Sequence, residues 1–175
     1  DVHDKRYLDL NSMTMCVNIG HGDERVIQAI IDQAQELTYA APGMATRARA
    51  MLGKKLSEIL PAGLTRYLYT LGGADANENA IKLARGYTKR FKILTRYRSY
   101  HGATMGAMAA TGDPRRWPNE FADDHVHFFG PYLYRSHFWA TSPEQESQRA
   151  LQHLAEVIRF EGPGTIAAIL METVV

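Results

Sequence analysis

The sequence predicts an α/β fold, a mostly parallel sheet with helices on both faces. Three observations predict it. From residue 66 onward, short β-patterned runs alternate with helix-patterned ones, and strands separated by helices imply crossover connections and parallel pairing. Gly72-Gly73-Ala74 is a turn with almost no side chain, set between the strand-like run Arg66 to Leu71 and an amphipathic stretch from Asp75 to Arg90. The run from Thr165 to Val175 is almost continuously apolar, the pattern of a strand buried on both faces of a parallel sheet.

In chain order, Arg6 to Leu10 alternates as a short strand, and Gly20-His21-Gly22 is a turn. Asp23 is an N-cap for a helix to about Leu37, with Val26, Ile30, Ala34 and Leu37 on its apolar face and Ile27 and Ile31 beside them. Ala41-Pro42-Gly43 breaks that pattern. A second helix follows from Arg47 to Leu60, turning Ala48, Leu52, Leu56 and Ile59 inward, and Pro61 closes it. Then come a strand at Arg66 to Leu71, a helix at Asp75 to Arg90 and a strand at Lys92 to Arg96. Ala103 to Thr111 is a short, small-residue helix, and His125 to Phe129 a short strand. Ser142-Pro143-Glu144-Gln145 supplies an N-cap, a proline at the first helical position and a capping-box glutamine. The helix they start presents Leu151, Leu154, Ala155 and Ile158 to a core and ends near Gly162-Pro163-Gly164. Asp113 to Ser136, rich in proline, aromatics and arginine, loops over a cleft.

At 175 residues the chain can bury a sizeable core, and 45% hydrophobic against 22% charged residues is a globular composition. Twenty basic and 19 acidic side chains give a net charge of +1, which suggests neither a nucleic-acid nor a membrane partner. A single cysteine, Cys16, excludes an internal disulfide and points to the cytoplasm; its neighbours Met13, Met15 and Val17 suggest a packed thiol. Domains seldom stop in an apolar run, so the expectation is the front part of a longer protein.

In a doubly wound sheet, ligands sit beyond the carboxyl ends of the strands. Gly72-Gly73-Ala74 lies on that rim. Bare glycines let a phosphate approach the backbone, and the first free N–H groups of the helix point at it. A tight strand-to-helix turn without any ligand is the competing reading. The turn matches neither the dinucleotide nor the nucleoside-triphosphate glycine pattern. Tyr100-His101-Gly102 follows the next strand on the same rim, where the tyrosine ring can lie on a flat heteroaromatic ligand; as core filler it needs none. A phosphate cradle and an aromatic plate on one rim suit a phosphorylated aromatic cofactor, and pyridoxal 5′-phosphate fits that description.

Asn18-Ile19-Gly20-His21, Gln33-Ala34, Leu60-Pro61, Gly72-Gly73-Ala74-Asp75-Ala76-Asn77-Glu78, Ile81-Lys82-Leu83-Ala84-Arg85, Tyr100-His101-Gly102 and Ala168-Ile169-Leu170-Met171-Glu172 occur in this order. Together they resemble the front part of a class III (omega-type) aminotransferase, a fold-type-I pyridoxal-phosphate-dependent transferase. Within that family the taurine–pyruvate and beta-alanine–pyruvate types look most similar. The resemblance implies cofactor-binding roles for five residues. Gly73 and Ala74 hold the phosphate through backbone N–H groups, Tyr100 stacks on the ring, His101 supports it, and Glu172 lines the crevice near the ring substituents. It implies a small-domain segment at 1–46 and the front part of the large cofactor domain at 47–175. Asn18 to Gly20 and Ala41 to Thr46 then shape a substrate pocket and a homodimer contact, and the substrates are an amine or omega-amino acid and a 2-oxo acid such as pyruvate. Two positions depart from the family: Ala74 replaces a frequent serine or threonine, and Thr173 a frequent proline after the glutamate.

Transamination also needs a lysine bonded to the cofactor and a carboxylate facing its ring nitrogen. By resemblance both lie beyond Val175, so no catalytic residue is nominated here and the 175 residues alone are expected not to transaminate. Glu78 and Lys82 read as an i, i+4 helix pair. His125-x-His127 with His137 lacks a carboxylate or cysteine spaced to complete a metal site, so no metal is expected. Arg115-Arg116-Trp117 reads either as an anionic-substrate contact or as a surface loop. Two other functions remain open: another fold-type-I enzyme, an aminomutase or decarboxylase, and a non-catalytic dimerising module.

Overall fold

A computed structural model describes residues 1–119 and 124–172. Thr173 to Val175, and so the end of the apolar run and the departure at Thr173, lie outside the described residues, as do positions 120–123 of the predicted loop. The chain divides into two compact units, Asp1–Tyr67 and Leu68–Val175.

The first unit holds a single turn, α1 (Ser12–Met15), and two helices, α2 (Glu24–Glu36) and α3 (Arg47–Ile59). Their starts are those the sequence dictates. Asp23 accepts the N–H of Arg25, and the Thr46 hydroxyl accepts that of Arg49 at 3.3 Å, so each cap satisfies a donor the helix itself cannot. Arg49 then donates to the carbonyls of Ala40, Ala41 and Met44, each at 2.9 Å. The loop around Pro42-Gly43 is therefore pinned by one guanidinium. Other expectations fail here. Arg6 to Leu10 forms no strand. Cys16 is exposed, with its thiol on the Thr14 carbonyl, and is not packed. The apolar faces of α2 and α3 stay open: Val26, Ile27, Ile30, Ile31, Leu37, Leu52 and Ile59 are all exposed. Periodicity defines an apolar face but does not supply what covers it.

The second unit is the α/β part. Its sheet is parallel, in the order β2-β1-β3, built from β1 (Lys92–Arg96), β2 (His125–Phe128) and β3 (Ile166–Leu170). Helix α4 (Gly73–Thr88) packs against β3 and against α5 (Met105–Ala110), α5 against β1 and β2, and α6 (Pro143–Glu161) against β2. The central strand β1 is covered on both faces. Ile93, Leu94 and Thr95 are at most 1% exposed, and Ala107 to Ala110 of α5 are buried with them. Small residues let that helix lie close, as the sequence suggested.

Several elements shift from expectation. Arg66 to Leu71 pairs with no strand among the described residues, and Leu71 is fully exposed; a strand exists only where a neighbour completes its hydrogen bonds. Helix α4 begins two residues early, because the Gly72 carbonyl already accepts the Ala76 N–H at 3.0 Å. Gly72 is therefore the N-cap, and Gly73 and Ala74 are the first helical residues instead of a turn. In α6, Ser142 accepts the Gln145 N–H as a capping box requires. Gln145, however, reaches back to the N–H and hydroxyl of Thr141, one residue beyond the N-cap. Its inward face is also rotated: Glu146 and Ala150 are buried, while Leu151 and Ala155 are exposed. Strand β3 is only half-buried, with Ile169 exposed, where burial on both faces was expected.

Since Leu94 is fully buried at the centre of the sheet, Leu94→Ala is expected to cost about 2–5 kcal/mol. Leu71→Ala in the same chain is expected to change stability by less than about 0.5 kcal/mol. Urea unfolding of the two variants checks both values.

Candidate functional site

The chain that brings the site together starts in α4. Asn77, one turn into the helix, donates to the His101 carbonyl at 2.7 Å. Beside it, Gly102 lies so close that an added Cβ would sit 2.5 Å from the Ala74 Cβ and 2.8 Å from its Cα, and its φ of +138° suits glycine alone. These two contacts fix the helix N-terminus against the Tyr100-His101-Gly102 loop. Four of the five residues predicted for the cofactor, Gly73, Ala74, Tyr100 and His101, are thereby held in one place.

Gly73 and Ala74 stand at the first two helical positions, whose N–H groups have no acceptor within the helix. Among the described residues neither N–H makes another hydrogen bond. Nothing lies within 4 Å of where a Cβ on Gly72 or Gly73 would be, so the approach is open. The Asp75 carboxylate does not compete for these amides; it takes the Leu71 N–H and the Asn79 side chain.

Tyr100 is 44% exposed. Its ring has a partner the sequence did not reveal: the Arg115 guanidinium sits 3.7 Å from the ring centroid. Asp113 holds that guanidinium through Nε, at 3.0 and 2.9 Å, and Nη2; the Arg115 bond keeps the Asp113 carboxyl below its ordinary range. Arg115 is thus a clamp on Tyr100, where the sequence suggested a substrate contact or a free loop. Such a cation–π contact is worth about 0.5–1 kcal/mol at an exposed site.

His101 is nine-tenths buried. Its Nε2 is 3.1 Å from the Thr95 hydroxyl, which itself donates to the Ala110 carbonyl at 2.8 Å. With that one proton committed, Thr95 can only accept, so His101 carries its proton on Nε2 and keeps a lone pair on Nδ1, the nitrogen facing Glu172. Burial pushes the imidazole below its ordinary value of 6.5, opposed by the Glu172 carboxylate and reinforced by Arg96. Glu172, just past β3, places Oε1 3.9 Å from His101 Nδ1 and Oε2 3.7 Å from Arg96 Nη2. Glu172 Oε2 and Arg96 Nε are both buried without a hydrogen bond among the described residues. Buried polar atoms of this kind call for a partner. All five predicted residues therefore belong to one locality, and Asn77, Thr95, Arg96 and Arg115 join them.

Other predicted constellations resolve elsewhere. Glu78 is no partner of Lys82; its Oε1 takes the N–H groups of Gly106 and Ala107 at 2.7 and 3.2 Å and caps α5. Burial raises its carboxyl, but hydrogen bonds from Thr104, Ala107 and Gly106 outweigh this and hold it below the ordinary range. His125 Nδ1 meets Asp124 at 2.8 Å, and Asp124 in turn meets Arg85 at 2.6 Å. His127 Nε2 lies 2.9 Å from the Thr111 carbonyl. The two strand histidines serve different partners.

Two helix-start N–H groups without an acceptor among the described residues thus stand where the Tyr100-His101-Gly102 loop is seated on α4, and comparisons place the chain in a family. The aminotransferase class-III profile matches residues 1–175. The chain belongs to the class-III aminotransferase family. It is 34% identical, over 99% of its length, to the hypotaurine/taurine–pyruvate aminotransferase of Paracoccus denitrificans. It is 40% identical over 114 residues, 64% of this chain and 26% of the relative, to a leucine/methionine racemase of Thermococcus litoralis. Among solved structures it resembles the taurine:2-oxoglutarate aminotransferase of Bifidobacterium kashiwanohense, in complex with PLP and glutamate. That match has a TM-score of 0.87 and 40% identity, and covers 98% of this chain and 40% of the other. The chain spans about two-fifths of the length of these aminotransferases, 39% and 40% respectively.

Two buried imidazoles, His101 and His125, titrate below 6.5, in both cases chiefly through burial. The unfolded chain therefore takes up protons that the folded chain refuses, so stability is full above about pH 7 and falls as pH drops through 6.5. Urea midpoints should decline between pH 7.5 and 5.5, and the decline should shrink in His101→Asn/His125→Asn. Midpoints independent of pH across that interval contradict this account.

Proposed function

We propose that this chain is the cofactor-cradling portion of a pyridoxal-phosphate aminotransferase, with Gly73 and Ala74 on the phosphate, Tyr100 on the ring, and His101 and Glu172 at its edge. The observation that carries the proposal is the Ala74–Gly102 contact, which seats the loop bearing the exposed Tyr100 against the helix start whose first two N–H groups are open. The residues fit such a group: a Cβ-free anion approach, an aromatic plate clamped by Arg115, and an orphaned buried carboxylate oxygen on Glu172. When bound, pyridoxal phosphate supplies an electron-withdrawing heteroaromatic ring that stabilises negative charge on a substrate carbon.

The chain's own residues bind and orient. The α4 amides and the positive end of the helix dipole favour an oxyanion by about 0.3–1 kcal/mol. Ala74 has no hydroxyl to add to them. Tyr100, held by Arg115, offers a fixed plane. The Nδ1 of His101 accepts a hydrogen bond, and Glu172 holds a negative charge near a cationic edge of the ligand. Lys92, at the opposite end of β1, is committed to Glu161 at 2.8 Å and is not the lysine this chemistry needs.

In the whole protein the reaction is amino transfer between an amine or omega-amino acid and a 2-oxo acid such as pyruvate, carried by a cytoplasmic homodimer. The taurine aminotransferases among its relatives support this assignment. The segments 1–46 and 47–175 are the small-domain part and the front of the cofactor domain. The racemase relative, 40% identical over 114 residues of this chain, is named for a different reaction, so likeness within this portion does not by itself set the choice of reaction.

Gly73→Pro tests the cradle cleanly. Proline is pre-organised at the first helical position and removes one N–H there, and the preceding Gly72 is already extended at φ −172°. Pyridoxal phosphate should raise the melting temperature of the unmodified chain, by the equivalent of about 2.7 kcal/mol at a hundredfold excess over Kd. The variant should fold as well and bind about tenfold more weakly. No melting shift in the parent chain, or equal affinity in the variant, overturns the assignment.

A further inference from the structure

A cavity of about 410 Å³ opens beyond the carboxyl ends of β1 and β2, lined among others by Arg96, Arg98, Phe129, Tyr132, Arg135 and His137. We propose that it is a binding site for a small planar aromatic anion, a ring bearing a carboxylate or phosphate. Its volume lies within the range of small-molecule pockets.

The charge side rests on three guanidinium groups. Arg98 and Arg135 form no ion pair among the described residues. Arg96 is nine-tenths buried and, among the described residues, pairs with Glu172 alone, at 3.7 Å, and leaves Nε without a hydrogen bond. A buried guanidinium donor with no acceptor is costly unless an oxyanion completes it. Gly130 makes the room, since a Cβ there would collide with Arg96 Cδ.

The ring side is equally ordered. Phe129 stacks on His137 with centroids 4.1 Å apart and packs on Tyr97 at 4.9 Å. Arg98 lies 4.6 Å from the Tyr132 ring centroid, and its Nη2 is 3.1 Å from His137 Nε2. As arginine is always a donor, His137 accepts, and Arg98 is held in place before any ligand arrives. Buried Glu146 fixes the opposite wall by accepting the Tyr132 N–H at 2.6 Å and the Ser136 hydroxyl. Flat apolar walls with convergent guanidinium donors select an anion that carries a ring, because a small hydrated anion fills the charge side alone. The site includes none of the five residues assigned to the cofactor, and it meets their neighbourhood only at Arg96, which faces Glu172.

Titration calorimetry of the chain with benzoate and with phenyl phosphate tests the proposal. Acetate and inorganic phosphate serve as ringless controls, and benzyl alcohol as the uncharged one. At least one aromatic anion is expected to bind about tenfold or more tightly than its ringless counterpart, and the tighter arm identifies the head group. The Arg135 side chain is exposed and makes no hydrogen bond among the described residues, its guanidinium lying 5.7 Å from the Tyr134 ring centroid, so Arg135→Gln should fold normally and weaken binding about tenfold. Gly73→Pro should leave that affinity unchanged. The proposal is overturned if neither aromatic anion binds at millimolar concentration, or if benzyl alcohol binds equally well. It also fails if the affinity responds to Gly73→Pro and not to Arg135→Gln.

Discussion

The hydrogen bond from the Asn77 side chain to the His101 carbonyl, 2.7 Å long, is the constraint on which the site depends. It joins residues 24 positions apart and keeps Gly102 seated on Ala74. Without it, α4 would end in an ordinary helix start and Tyr100 would lie on an ordinary loop. With it, the helix start that carries two open amides and the loop that carries Tyr100 are held together. Under the proposed function neither feature alone would select a ligand with both a phosphate and a ring; the joint brings them into one locality.

Around that joint the electrostatics are economical. Thr95 spends its single proton on Ala110, which dictates the His101 tautomer. The neutral imidazole then presents a lone pair toward Glu172, and Arg96 offsets the carboxylate from the other side. One buried cation thus serves two neighbourhoods, the Glu172 edge and the arginine-lined cavity beside it. A charge placed in either is felt in the other through Arg96, since attraction in a low-dielectric interior is only weakly screened.

Much of this was legible in the sequence where the controlling interaction is local. Strand β1 and helix α6 begin and end where pattern and capping residues place them, because caps and periodicity act within a few residues. Gly73, Ala74, Tyr100, His101 and Glu172 were singled out through glycine bareness, an aromatic at a strand end and a family resemblance, and their roles toward a cofactor belong to the proposal. What stayed hidden is nonlocal. The run Arg66 to Leu71 has β pattern but pairs with no strand among the described residues. Glu78 looked like half of a helix pair because its true acceptor role, capping α5, involves backbone amides 28 and 29 residues away. Arg115 carried no sign that it would cover Tyr100. The role of Asn77 was invisible because a single polar residue on a helix says nothing about the carbonyl it will meet.

The central claim, that the joint between α4 and the Tyr100 loop receives a phosphorylated aromatic ring, is tested most directly by amide chemical shifts in the ¹⁵N-labelled chain titrated with pyridoxal phosphate. The account predicts the largest shifts at the Gly73 and Ala74 amides, together with ring-current shifts of the Tyr100 side chain, saturating along one binding curve. Saturable binding that leaves those amides and that ring unmoved would contradict it.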